Sequence, residues 1–233
     1  MMPPVALLAG GLATRMGPLC QDLPKSLLPV AGLPFIAHQL RLLRRQGVSR
    51  VVACTGHLGE QIEDFVSDGA AFGLHVDYSR DGPQPLGTAG ALRQALPLLG
   101  TEFLVLYGDS YLPTPIAPVV AAFRAGSALA QMTVFRNEGN WDTSNVVFTA
   151  EGLLIYDKQQ RSPEMRHIDY GLGMFRADAL AGCPPGEAFD LADLYKTLLA
   201  RGALVGYEVR ERFYEIGSPA GLAETDDFLW RRS

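Results

Sequence analysis

Short apolar runs rich in β-branched residues alternate with stretches of helical period through the first half of the chain, and this alternation restricts the fold most. VALLA (5–9), RVVAC (50–54), LHVDY (74–78) and EFLVLYGD (102–109) read as strands, and PFIAHQLRLLRRQG (34–47), LGEQIEDFV (58–66) and TAGALRQALPLL (88–99) as helices. Strands and helices in that order build an α/β layered fold with a largely parallel sheet. Pro34 in its first turn and Gly47 as its stop bound the first helix. Leu58, Ile62, Phe65 and Val66 supply one apolar face of the second, and the third is expected to break near Pro97.

The second half is less regular. NVVF, GLLIY and DYGLGMF look like strands joined by polar turns, which predicts antiparallel or mixed pairing and an irregular middle inserted over one face. FDLADLYKTLLARG (189–202) reads as a helix with Asp190 as N-cap and Gly202 as stop, and SPAGLAETDDFLW (218–230) as another, after a second acidic strand end in YEIG. With no repeat, linker or low-complexity stretch, one domain over 1–233 is expected, and 48% hydrophobic content is enough for a sizeable core.

Charge and cysteines exclude several classes. Twenty Lys and Arg against 25 Asp and Glu give a net charge of -5, without the basic excess that nucleic-acid binding usually needs. Cys20, Cys54 and Cys183 lie far apart with no C-x-x-C pair, which fits a reducing cytoplasm better than a disulfide framework. MMPP provides no positive segment ahead of VALLAGGLA, so an export signal is not expected, and no apolar run approaches the roughly 20 residues of a membrane-spanning helix. His38, His57, His75 and His167 share no metal-ligand spacing.

Ligands of open α/β sheets sit beyond the carboxyl ends of the strands, where LLAGG and LYGDS place unusual residues. Gly10 and Gly11 let backbone N–H groups approach phosphate oxygens, and Arg15 and Lys25 can neutralise several negative charges, a combination suited to a triphosphate. On these residues alone, a tight strand-to-helix turn beside two solvated cations is an equal alternative. There is no G-K-[ST] of a P-loop, and GGLATRMG lacks the G-x-G-x-x-G spacing of the dinucleotide fold.

AGGLATRM followed by LPKSLLPVAGLPFI resembles the signature of the sugar-1-phosphate nucleotidyltransferases. Residues 58–100, YGDS, IYDK (155–158) and YEIGSPAGL (214–222) resemble later blocks of that family in the same order, so the likeness covers nearly the whole chain. It implies a Rossmann-like nucleotidyltransferase fold of the GT-A type, with a mixed, mainly parallel central sheet flanked by helices. It also implies transfer of a nucleoside monophosphate from a nucleoside triphosphate to a sugar 1-phosphate, releasing pyrophosphate, with Mg²⁺ as cofactor. Small molecules are then the partners, and the oligomeric state stays open.

Carried over by residue, the resemblance implies that Leu8, Ala9, Gly10, Gly11, Thr14 and Arg15 line the nucleotide, with Arg15 and Lys25 as catalytic cations. Gln84, Leu86, Gly87, Thr88 and Gly90 would border base and ribose. Lys158 would grip the sugar phosphate, with Asn145, Asp169, Tyr170, Gly171 and Gly173 around the sugar, and Asp109 and Glu215 would share the metal. Read locally, Asp109 is also a turn former, Lys158 a solvated partner of Asp157, Thr88 a helix cap and the Asp169–Gly173 stretch a bulge.

Departures from the family pattern lie at Ala13, where glycine is usual, at Ser26 in place of proline, and at Glu215 in place of aspartate. NEGNWDTSNVVF (137–148) has no close counterpart, which points to an unusual acceptor. PLGTAG leans towards guanine and a mannose- or heptose-like acceptor, whereas residues 58–100 also resemble the uridylyltransferase of N-acetylmuramic acid 1-phosphate. A molybdenum-cofactor-type nucleotidyltransferase and a catalytically silent regulatory subunit that binds nucleotide sugars are the competing readings.

Overall fold

The computed structural model describes residues 1–11 and 14–232, and the side chains of Thr14, Arg15 and Leu154 lie outside that description. Strand β1 (Val5–Leu8) is apolar throughout because both of its faces are covered: Val5 and Leu7 enter one core layer and Ala6 the other. The hairpin of β2 (Pro29–Val30) and β3 (Leu33–Pro34) leads into α1 (Phe35–Arg45), which begins directly after Pro34. Next come β4 (Arg50–Thr55), α2 (Gly59–Val66), β5 (His75–Arg80), α3 (Gly87–Leu99) and β6 (Glu102–Tyr107). β1 pairs in parallel with β4 on one side and β6 on the other, and β4 pairs in parallel with β5.

The chain continues through β7 (Ser110–Tyr111), α4 (Ile116–Ala125), β8 (Ala130–Arg136), β9 (Val146–Thr149), β10 (Gly152–Tyr156) and β11 (His167–Arg176). It ends with α5 (Leu191–Ala200), β12 (Leu204–Val209), β13 (Tyr214–Glu215) and α6 (Pro219–Trp230). The main sheet has nine strands in the path β10-β9-β11-β6-β1-β4-β5, with β8 beside β11 and β12 beyond β8. β11 runs antiparallel to β6, β8 and β9, so the predicted mixed, mainly parallel sheet is present. The irregular middle does not lie over a face, as the sequence suggested. Its strands extend the sheet beyond β6, because β11 offers β6 a complementary apolar ladder from Leu172 to Phe175.

Helices α3 and α5 pack on one face, with Leu92, Ala95, Leu194 and Leu198 against Phe103, Phe175 and Met132. Helices α1, α2 and α4 cover the other through Leu40, Ile62 and Phe123. α3 runs to Leu99 without the expected break, although Pro97 has no N–H to give the Arg93 carbonyl; one ladder bond is lost near the C-terminal end while the helix continues. In α2 only Ile62 and Val66 turn fully inward, while Phe65 is exposed and meets Phe72 at 6.2 Å between ring centroids. Strands β8 and β12 and helix α4 escaped the sequence reading. Gln131 and Thr133 are buried in β8 because they bond the carbonyls of Val119 and Leu172, Gly206 interrupts the apolar sequence pattern of β12 but not the strand, and Pro118 sits harmlessly in the first turn of α4.

Phe103 and Phe175 are both fully buried and stack at 5.9 Å with planes 13° apart, joining β6 to β11 beneath α5. Phe103→Ala is expected to lower unfolding free energy by about 3–5 kcal/mol in urea titration, the range for truncating a buried aromatic.

Candidate active site

Hydrogen bonds at the carboxyl ends of the parallel strands draw three loops together. The Ala9 N–H donates to the Cys54 carbonyl and the Gly108 N–H to the Leu8 carbonyl, both at 2.9 Å. A Cβ on Gly108 would lie 2.6 Å from the Leu8 oxygen, so only glycine permits this approach. After β1, β4 and β5 the chain returns to the other side of β1 as β6, and this switch in strand order leaves a crevice at the sheet edge.

A cavity of about 290 Å³ occupies the crevice, lined by Leu8, Ala9, Gly10, Gly11, Lys25, Gly87, Thr88 and Asp109. The structure thus gathers most of the expected nucleotide residues. Thr14 and Arg15 belong to the same loop, but their side chains, and all of Ala13, lie outside the described residues. Gln84 is exposed and, with Leu86 and Gly90, does not line the cavity. Leu86 is buried, and the Gly90 N–H is given to the Phe189 carbonyl at 3.1 Å. The Thr88 hydroxyl accepts from the Leu191 N–H at 2.7 Å and donates to Asp190 at 3.2 Å, so it ties α3 to the start of α5 rather than capping its own helix.

Ser26, Cys54, Asp81, Pro85 and Tyr107 also line this cavity and escaped the sequence reading, although Asp81 and Tyr107 stand at or just beyond strand ends, where the ligand rule points. Asp81 accepts the Leu86 N–H at 3.2 Å, and burial raises its carboxyl pKa. Burial, with Asp81 nearby, pushes the Cys54 thiol up to about 12, which makes it an inert floor.

A second cavity of about 510 Å³ adjoins the first and shares Tyr107 and Asp109 with it. Asn145, Lys158, Asp169, Tyr170, Gly171 and Glu215 all line it, together with Ser110, Trp141, Asp142, Thr143, Arg161 and Phe213. The register of β11 against β8 shifts between Asp169 and Gly173, and Gly171 has φ 91°, so the strand bulges towards the cavity. The bulge and the site are one feature. Gly173 does not line the cavity and instead leaves room for Tyr195, whose hydroxyl would lie 2.6 Å from an added Cβ.

Lys158 stands 3.8 Å from Asp169 and 5.4 Å from the centroid of the Tyr107 ring. It does not pair with its neighbour Asp157, which bonds Lys196 at 2.9 Å. Asn145 receives the Asp169 N–H at 2.9 Å. The Asp169 side chain is 4% exposed, its Oδ2 has no hydrogen-bond partner, and burial raises its pKa against the opposing pull of Lys158. Such a carboxylate is suited to accept hydroxyl donors from a polar ligand.

At the border of the cavities the Lys25 ammonium meets Asp109 Oδ2 at 2.6 Å, while the Ser110 hydroxyl meets Oδ1 at 3.2 Å. β13 pairs with β7 in an antiparallel ribbon, and the Ile216 N–H donates to the Asp109 carbonyl at 2.9 Å. Asp109 and Glu215 therefore meet through this short ribbon and not through a shared parallel sheet. The Glu215 carboxylate accepts the Gly217 N–H and, at 2.7 Å, the Ser218 hydroxyl, which ties it to the entry of α6. Mg²⁺ is commonly held by one or two carboxylates plus substrate phosphates. Asp109, with hard oxygens facing both cavities, fits that role, and no cluster of three acidic, His or Cys ligands occurs among the described residues.

Because burial raises the Asp169 pKa above its unfolded value, the folded state holds this proton longer, and stability falls as pH rises from the usual carboxylate range through the raised pKa. Asp169→Asn is expected to remove that part of the pH slope and to raise Tm at neutral pH, measured by thermal melts across pH.

Residues 5–146 match the model of the family described as Nucleotidyl transferase. The N-acetylmuramate alpha-1-phosphate uridylyltransferase of Neisseria meningitidis is 32% identical over 94% of each chain. The D-glycero-alpha-D-manno-heptose 1-phosphate guanylyltransferase of Campylobacter jejuni is 28% identical over 91% of this chain and 94% of its own. The solved structure of HddC from Yersinia pseudotuberculosis complexed with GMP-PN superposes with a TM-score of 0.81 at 21% identity, covering 98% of this chain and 100% of that one, and so shares the fold. No helix among the described residues is long and apolar enough to cross a membrane. The chain belongs to the nucleotidyl transferase family, among its sugar-1-phosphate nucleotidyltransferases.

Proposed function

We propose that the first cavity binds a nucleoside triphosphate and the second a sugar 1-phosphate, and that an acceptor phosphate oxygen attacks the α-phosphorus in line with departing pyrophosphate. The observation that carries this reading is the shared wall of Tyr107 and Asp109, which brings the two ligands together at one point. Lys25 at the border and Lys158 in the acceptor cavity offset the repulsion between two anions. Arg15, on the glycine-rich loop, stabilises the leaving pyrophosphate. No general base is needed, since the acceptor phosphate is already ionised at neutral pH. Bound by Asp109, Mg²⁺ would supply Lewis-acid charge neutralisation to phosphate oxygens.

For the donor, the PLGTAG segment supports GTP with a mannose- or heptose-like acceptor. A second reading, UTP with an amino-sugar 1-phosphate, is favoured by the 32% identity to the Neisseria uridylyltransferase over 94% of both chains. Pyrophosphate release across GTP, UTP, CTP, ATP and dTTP with mannose, heptose, glucose and muramic acid 1-phosphates separates the two. Release with none of these pairs would support the silent regulatory reading.

Two substitutions probe the machinery. Arg15→Ala should lower kcat by about 100-fold or more with little change in nucleotide KM, because its charge matters most as the leaving group forms. Lys158→Ala should raise KM for the sugar phosphate by about tenfold or more and leave the nucleotide KM near its original value. Equal effects on both substrates would remove Lys158 from the acceptor site.

A further inference from the structure

The buried residues of α1 are apolar with one exception. Gln39, 1% exposed, stands on the face that carries Ile36, Leu40 and Leu43 into the core. A leucine there would serve the packing, so the buried amide needs a reason, because each of its groups left unpaired costs free energy.

Gln39 Oε1 has no hydrogen-bond partner. Nε2 has two: it donates to the Tyr107 carbonyl at 3.0 Å and to the Ser110 carbonyl at 2.8 Å. The opposite orientation of the amide would set Oε1 against two carbonyl oxygens, so these contacts fix which way it points. The two carbonyls flank Gly108 and Asp109, and one side chain therefore spans the turn that carries the acid.

The rest of that turn is tied to other elements. The Gly108 N–H is given to Leu8 of β1, and the Asp109 carbonyl receives the Ile216 N–H from just beyond β13. Gln39 adds the tie to the helical layer. With a backbone group of each residue from 107 to 110 held, Asp109 turns only about its own side-chain bonds. The same helix also carries the partner of Asp109: the Phe35 N–H donates to the Leu28 carbonyl and the Leu28 N–H to the Lys25 carbonyl, both at 3.0 Å.

We propose that Gln39 is a positioning residue for the transfer: by holding the Tyr107 and Ser110 carbonyls it fixes where the Asp109 carboxylate stands between the two cavities. Gln39 lines neither cavity, so it acts through the turn and not on a substrate. The proposal rests on the reading of Asp109 as the protein's metal anchor.

Gln39→Met keeps the length of the side chain and removes both donors. It should lower kcat by about 10- to 100-fold, the scale of a small misplacement at a reacting site, with KM for the sugar phosphate within about twofold. Mn²⁺ is the direct probe, titrated by electron paramagnetic resonance into the full chain with an α,β-methylene analogue of GTP or of UTP and compared with each analogue alone. Without any turnover, its affinity should fall about tenfold in the variant. Gln39→Asn, which draws the amide back by one methylene, should act in the same way and carries the test where Gln39→Met does not fold in thermal melts.

Gln46 supplies the control, since its side chain donates to the Thr114 carbonyl at 2.7 Å and accepts the Ile116 N–H at 2.9 Å, away from both cavities. Gln46→Met should lower Tm and leave kcat and Mn²⁺ affinity within about twofold. Asp109→Asn should weaken Mn²⁺ binding at least as much as Gln39→Met does. If Asp109→Asn weakens it while the folded Gln39 variants do not, or if Gln46→Met matches them, the positioning role of Gln39 is overturned and the metal reading stands. Unchanged Mn²⁺ affinity in Asp109→Asn overturns the metal reading and the proposal built on it.

Discussion

The close backbone approach of β1, β4 and β6 at their carboxyl ends is the constraint on which the site depends. The Ala9 and Gly108 amides are each given to a neighbouring strand, and Gly108 has no space for a side chain. The glycine-rich loop, the Asp109 turn and the loop after β5 therefore emerge side by side. Lys25 and Asp109, 84 residues apart, then meet at 2.6 Å between the two cavities. Their pairing keeps a cation and an anion together where a triphosphate, a sugar phosphate and a metal ion would compete for charge.

The second cavity is lined mostly by residues of the second half of the chain and is framed by aromatic and cation–π contacts. Arg212 lies 3.4 Å from the centroid of the Trp141 ring and 4.7 Å from that of Tyr214, and Tyr214 stacks on Phe228 of α6 at 3.6 Å. This column links the 137–145 loop to the C-terminal helix, so α6 is part of the site's frame. Glu215 serves the same frame through Gly217 and Ser218. Beside the first cavity, α5 and the residues leading into it play the equivalent part: the Phe189 carbonyl takes the Ala89 and Gly90 amides, and Thr88 bonds Leu191. Both cavities thus lean on helices that come late in the chain.

The sequence by itself determined the layered α/β class, the parallel first half, and the positions of most strand-end residues that reach the cavities. Periodicity and glycine placement are local properties, and the physics behind them acts within a few residues. Asp190 as a helix cap was legible for the same reason, since a cap bonds its own first turn. The order of family-like segments also located Lys158 and Asp169 before their 3.8 Å approach was visible.

Only the tertiary structure decided which side chains share a space. Gln131 and Thr133 look polar in sequence yet are buried, because their partners Val119 and Leu172 come from other elements. In each case the deciding contact joins residues whose proximity is set by packing between elements, and no local pattern encodes that distance.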